Sequence, residues 1–196
     1  MATQQHESVT PTGDEDRAVA VITIAFSNDP VARWFLRDPG RYLAYWPPLV
    51  KAFGGAAFDA GTADSVDDCS GVALWLPPGV GPDEEAMGSL ASEAVPADDQ
   101  DEAFTFMEQQ GEFHPSEPHW YLPLIGVDGA KQGLGYGSLL LRYAVERCDR
   151  DGLPAFLEAS NPRNKALYER HGFETVGVIQ AGSSPPMWPM RREPRT

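Results

Sequence analysis

The chain has 196 residues, 42% of them apolar and 22% charged. That composition calls for an ordinary globular core and excludes wholesale disorder. Fifteen Lys and Arg against 29 Asp and Glu give a net charge of −14, a surface that repels phosphate backbones, so no nucleic acid is expected as a partner. No apolar run approaches the ~18 residues of a membrane span, and residues 1–16 lack the apolar centre of a signal peptide. Two cysteines, Cys69 and Cys148, make neither a disulfide framework nor a structural zinc site. A cytoplasmic protein with no membrane contact and no metal is expected.

Residues 1–13 are polar and are expected to be flexible, with one α/β domain over 14–196. Thr12-Gly13-Asp14-Glu15 fits a helix-capping box, so a first helix begins near Asp14 and carries the apolar run to Phe26. Asp29-Pro30 and Asp38-Pro39-Gly40 punctuate two further helical pieces, Val31–Leu36 and Arg41–Phe53. Pro47-Pro48 predicts a kink or break in the second. A strand is expected near Ala57–Gly61, and a firmer one at Gly71–Leu76, closed by Pro77-Pro78-Gly79. Residues 82–107 read as one or two solvent-facing acidic helices.

Trp120–Val127 is apolar on both faces and predicts a strand buried on both sides. The glycine-rich turn Gly133-Leu134-Gly135-Tyr136-Gly137 leads into an amphipathic helix carrying Leu139, Leu140, Tyr143, Ala144 and Cys148. Asp151-Gly152 ends it. A second buried strand, Ala155–Ala159, a short helix from Asn164 to His171 and two closing strands, Val176–Ile179 and Met187–Met190, complete the reading.

The charge is not evenly spread. Residues 52–130 carry sixteen acids and no Lys or Arg, whereas residues 131–196 carry ten basic and seven acidic side chains. Either the middle is a solubilising surface, or it draws a cationic ligand while the C-terminal third holds an anionic one.

A strand, then glycines, then a helix is built for phosphate, because the first helical N–H groups lack partners and the helix dipole adds positive charge. A P-loop fails here, since Gly137 is followed directly by Ser138 with no lysine. The dinucleotide fingerprint fails at its third glycine, where Ser138 stands. What remains is Gln132-Gly133-Leu134-Gly135-Tyr136-Gly137, of the form Q/R-x-x-G-x-G/A, followed downstream by Asn164-Lys165-Ala166-Leu167-Tyr168-Glu169-Arg170-His171-Gly172-Phe173. In that order and spacing the two segments resemble the GNAT superfamily of N-acetyltransferases. Residues 114–190 are most similar to puromycin N-acetyltransferase and its uncharacterised relatives.

The resemblance implies a mixed, mostly antiparallel sheet of six to seven strands flanked by helices and splayed between the fourth and fifth. It implies an acetyl-CoA-dependent enzyme in which an amine attacks the thioester directly, with no covalent enzyme intermediate. Main-chain groups of Ile125, Gly126 and Val127 would hold the acetyl and pantetheine part. Those of Gln132, Gly133, Leu134, Gly135, Tyr136, Gly137 and Ser138 would hold the pyrophosphate. Tyr168 matches the family tyrosine that gives a proton to the departing thiolate, or else it is an aromatic plug under its helix. Its pKa would have to be lowered, or a water interposed, for easy transfer. Asn164 bonds the cofactor or caps its own helix, and Asn161 is a weaker candidate of the same kind.

An ammonium must lose a proton before attack. Glu158 is a candidate base or an ion-pair partner of Arg163, and His114 and His119 are a second possibility. Phe26, Trp34, Tyr42, Tyr45 and Trp46 concentrate aromatics in the first helices, and Phe26, Trp34 and Tyr45 are candidate acceptor contacts. Trp75 and Trp120 read as sheet core. The expected acceptor is a small-molecule amine, with a protein or peptide amine, or a non-catalytic acetyl-CoA sensor, as alternatives. A monomer or homodimer is expected.

Overall fold

The computed structural model describes residues 8–195. Of the stretch 1–13 expected to be flexible, residues 1–7 lie outside the described residues. Within the rest, β1 (Thr10–Pro11) pairs antiparallel with β2 (Ala63–Val66). The chain then runs α1 (Glu15–Ala25), α2 (Pro30–Phe35), α3 (Pro39–Gly54), α4 (Ala56–Asp59), β2, β3 (Gly71–Leu76), α5 (Glu84–Ala94), α6 (Gln100–Phe113), β4 (Trp120–Val127), α7 (Tyr136–Asp151), β5 (Ala155–Ala159), α8 (Pro162–Arg170), β6 (Glu174–Thr175) and β7 (Trp188–Arg192). The seven strands form one sheet in the order β1-β2-β3-β4-β5-β7-β6. Among the described residues only β4 and β5 pair in parallel.

Alternation along β3 divides the core. Ala73 and Trp75 pack with α7, through Leu140, Leu141 and Ala144. Val72, Leu74 and Leu76 face the other way, against Ala18, Val19 and Ile22 of α1 and Val50 of α3. Trp120 joins Trp75 in the first cluster. The buried stripe of α7 is turned slightly from the expected one. Leu141 and Val145 are buried, whereas Tyr143 is exposed and lies under the Arg147 guanidinium.

Several local expectations change. The first helix is capped by Asp14, whose carboxylate accepts from Arg17 N, while Thr12 Oγ1 accepts from Asp14 N. Helix α3 runs unbroken through Pro47 and Pro48, because packing against α1, α5 and β4 outweighs two lost backbone donors. The segment expected as a strand at Ala57–Gly61 is instead the helical turn α4, and the strand follows it at Ala63–Val66. The closing strands are shifted to β6 and β7, with Ile179 and Met187 forming only an isolated bridge.

The sheet opens at one point. Parallel pairing of β4 with β5 covers only Trp120–Leu122 against Ala155–Leu157. The next residue, Pro123, has no N–H to donate. There the β3–β4 register also slips by one, so that Leu74 opposes Leu124 but Leu76 opposes Tyr121. Beyond this proline and bulge, β4 continues to Val127 on β3 alone, and Glu158 and Ala159 of β5 keep only the pairing with β7 that runs along the whole strand. The V between the fourth and fifth strands is the expected splay.

Candidate active site

Helix α1 closes on the splayed part of β4 at Gly126. A Cβ there would stand 2.9 Å from Ala25 Cβ and 3.2 Å from Ile22 Cα, so only glycine permits the approach. The contact brings Phe26 and the turn to Asp29 beside the open strand. Asp29 is buried and fully used: Oδ1 accepts from Val31 N and Ala32 N, capping α2, and Oδ2 accepts from Ser160 Oγ at 2.5 Å and Asn161 Nδ2 at 3.2 Å. It ties α2 to the β5–α8 connection. Asn161 in turn caps α8 by accepting from Asn164 N, which leaves Asn164 free of the capping role.

Two cavities flank this region. The first is a groove of about 1780 Å³ of solvent-connected space, lined by Ile125, Gly126, Val127, Gln132, Gly133, Gly135, Tyr136, Gly137, Ser138 and, from α8, Asn164 and Tyr168. Gly133 and Gly135 sit at φ +85° and +92°, which glycine alone adopts easily, and a Cβ on either would enter open space. Gly135 is the N-cap of α7, whose first N–H groups open on the groove. Leu134 is 61% exposed and points outside the lining. The unpaired edge of β4, the glycine cradle and the helix tip fit an extended thioester arm ending in a pyrophosphate.

The loop is held from below by the β2–β3 turn. Asp67 Oδ2 meets Lys131 Nζ at 3.0 Å and accepts from the Tyr136 hydroxyl at 2.9 Å, and these partners keep the Asp67 carboxyl below its ordinary range. Asp67, Asp68 and Cys69 all have positive φ, at 50°, 52° and 62°, and Asp68 is anchored by both terminal nitrogens of Arg17 at 2.8 Å. Arg163 donates to Gln132 Oε1 at 3.1 Å, not to Glu158.

The second cavity, about 1100 Å³ of solvent-connected space, lies on the far side of the splay between α1–α3, α5 and α6. Glu158 lies in its wall. Its Oε2 accepts from the Tyr121 hydroxyl at 2.9 Å, and its buried Oε1 has no hydrogen-bond partner. Burial raises the carboxyl to about 7, with the Tyr121 hydroxyl and the nearby Gln110 amide pulling the other way. The ion pair with Arg163 is absent. His114 and His119 approach each other, Nε2 to Nε2 at 3.2 Å, and His114 packs edge-on to Tyr121. Neither lines the cavity.

The cavities meet at Phe26, Asp29, Ile125, Asn164 and Tyr168, which line both. Tyr168 is buried, and burial first, then the charges of Asp29 and Glu158, push its phenol up rather than down. The lowered pKa that easy proton transfer would call for is therefore not found. Of the aromatic candidates, Phe26 lies at the junction. Trp34 packs on Phe106 and donates to Ser183 Oγ, and Tyr45 belongs to a separate cluster with Leu36 and Tyr42. The structure does not bring those two into the cavity wall. Trp46, Phe35, Phe53 and Phe106 are there instead, and Tyr121, outside the lining, holds Glu158 from behind. Trp46 stood in the aromatic run of the sequence, but nothing local marked Tyr121 or tied Asp29 to the β5–α8 connection. Among the described residues no cluster of three or more potential metal ligands gathers, and no helix is long and apolar enough to cross a membrane.

The model of the acetyltransferase (GNAT) family matches residues 83–173, which hold β4, the glycine loop, α7, β5 and α8. An uncharacterised N-acetyltransferase of Schizosaccharomyces pombe is 25% identical over 206 residues, 93% of this chain and 81% of that protein. The chain has the GNAT fold, and these matches mark it as an acyltransferase. A crystal structure described as histone acetyltransferase HPA2 and related acetyltransferase, from Corynebacterium glutamicum, superposes with TM-score 0.68 at 26% identity, over 97% of each chain. Arylalkylamine N-acetyltransferase 2 of Aedes aegypti superposes with TM-score 0.67 over 97% of this chain and 100% of that one. At 12% identity it shares the GNAT fold alone.

Proposed function

We propose that this acetyltransferase moves the acetyl group of acetyl-CoA to the primary amine of a small molecule, by direct attack of the amine on the thioester. The observation that carries the reading is the junction: the phosphate-type groove and a closed-in second cavity share one wall at Ile125, Asn164 and Tyr168. When bound, acetyl-CoA supplies the activated acetyl group. The edge of β4 at Ile125–Val127 that turns away from β3 offers strand backbone to its arm, and the 132–138 loop offers N–H groups to its pyrophosphate. The acceptor enters from the other cavity.

Glu158 is the base. A carboxyl raised to about 7 accepts a proton from an ammonium at neutral pH far better than one at its usual 4.5. Burial keeps the Tyr168 phenol protonated, so it serves as hydrogen-bond donor to the departing sulfur, and Asn164 is positioned beside it. The resemblance to puromycin N-acetyltransferase supports a small-molecule acceptor without naming it.

The test is free-thiol release with acetyl-CoA and a primary amine. Tyr168→Phe should lower kcat by at least about tenfold while calorimetry shows acetyl-CoA affinity within about twofold of wild type. An unchanged kcat removes Tyr168 from the chemistry. Absence of acetyl-CoA binding by the folded protein overturns the function.

A further inference from the structure

The sixteen acids of residues 52–130 invite the idea of a polycationic acceptor, and the cavity contradicts it. Helices α5 and α6 are amphipathic, and their carboxylates are on the wrong side. Glu84, Glu85, Glu93, Asp101 and Glu108 are solvent-exposed, and Glu102 is bound to Ser183 N and Oγ. The faces these helices turn to the cavity carry Met87, Ala91 and Ala94, then Phe106, Met107 and Gln110.

Among the described residues no Lys, Arg or His lines this cavity, and only two carboxylates do, Asp29 and Glu158. Asp29 already accepts four hydrogen bonds. Glu158 alone keeps an oxygen without a partner. The wall can therefore compensate one positive charge near the splay. A second ammonium would be a buried ion facing methionine and phenylalanine, with its hydration lost and nothing to replace it.

The rest of the wall has a definite chemical taste. Phe26 and Trp46 lie with ring centroids 5.4 Å apart, with Phe35 and Phe106 deeper in. Met87, Met107 and Met187 supply flexible, polarizable side chains that mould to flat rings. Such a surface gains by burying carbon, and its methionines accommodate ring substituents without a fixed shape.

We propose that the acceptor is a singly charged primary amine on a bulky, aromatic-containing apolar body, its nitrogen at Glu158 and Tyr168 and its body against α3, α5 and α6. The proposal rests on the acetyl-transfer reading of the same site and adds the class of molecule that fills it.

Thiol release is measured with wild-type protein, saturating acetyl-CoA and four acceptor types: a series of 2-arylethylamines lengthened by single methylenes, spermidine, an aminosugar and a lysine-containing peptide. The arylalkylamines should exceed spermidine in kcat/KM by roughly a hundredfold. Along the series KM should fall by about fourfold per methylene while the cavity still has room, the equivalent of ~0.8 kcal/mol per buried CH₂. Met107→Glu, which adds a carboxylate to the wall, should narrow the ratio of arylalkylamine to spermidine by about tenfold. Should that variant fail to fold, the wild-type panel decides alone. Faster turnover of spermidine, the aminosugar or the peptide overturns the acceptor assignment and leaves acetyl transfer standing. No thiol release with any amine takes down acetyl transfer, and the acceptor assignment with it.

Discussion

Replacing Glu158 with glutamine separates the electrostatics of this residue from its shape. Its carboxyl is held at about 7 in the folded protein against an ordinary 4.5, because burial penalises the charged form. Below about pH 4.5 the group is protonated in both folded and unfolded chains and costs nothing. Above about pH 7 it is ionised in both, and the folded state bears the full penalty. Stability is thus lost as pH rises through that window, the reverse of a salt-bridged carboxylate. The gap corresponds to about 3 kcal/mol, of which about 2.5 kcal/mol falls between pH 5 and pH 8. The amide of Glu158→Gln keeps an acceptor for the Tyr121 hydroxyl and carries no charge at any pH, so its stability curve lacks this contribution. Urea unfolding of both proteins at pH 5, 6, 7 and 8 should show the variant gaining on wild type by about 2–2.5 kcal/mol across the range. Offsets that do not vary with pH cancel in that comparison. Parallel curves would refute the raised carboxyl and with it the argument for Glu158 as a base near neutrality.

The same residue should shape the rate: wild-type kcat/KM rises with pH through about 7 as Glu158 ionises, and the glutamine variant loses that limb with a drop of about 10²-fold or more. Tyr136→Phe deletes the hydroxyl that donates to Asp67 Oδ2 and leaves every charge in place. The KM for acetyl-CoA should rise roughly two- to tenfold, the worth of one hydrogen bond net of solvent, with kcat at saturation unchanged. Gly126→Ala drives a methyl into Ala25 Cβ and the Ile22 backbone, and chemical denaturation should register a loss of about 1–3 kcal/mol.

How much of this could be read from the sequence depends on how local each signal is. The bounds of β3, β4 and β5 were legible because each is a short apolar run closed by proline or glycine, and the cradle was legible because positive φ demands glycine at Gly133 and Gly135. Strand β2 was not. Ala63-Asp64-Ser65-Val66 has no apolar alternation, and Asp64 is tolerated in the sheet, wholly buried, only because Arg147 reaches it at 2.8 Å from eighty-three residues away. Likewise the Asp29 and Tyr121 side chains acquire meaning from Ser160 and Glu158, partners more than thirty residues distant. Asp29-Pro30 reads as punctuation before a helical piece, which fits its capping of α2, and its ties to Ser160 and Asn161 have no local signal.

The most instructive residue is Pro123. A proline inside a strand buried on both faces argues, on local grounds, against the strand. Here strand and proline coexist because the ladder to β5 stops at Leu122 and the bulge against β3 falls at the same place. Continued parallel pairing would have set Pro123 opposite Glu158 and carried the ladder along the strand edge that the groove now uses. The missing donor thus coincides with the point where β4 and β5 part, and Glu158, Tyr168 and both cavities are arranged around that break. What reads as a fault in local β-propensity is where the fold makes room for chemistry.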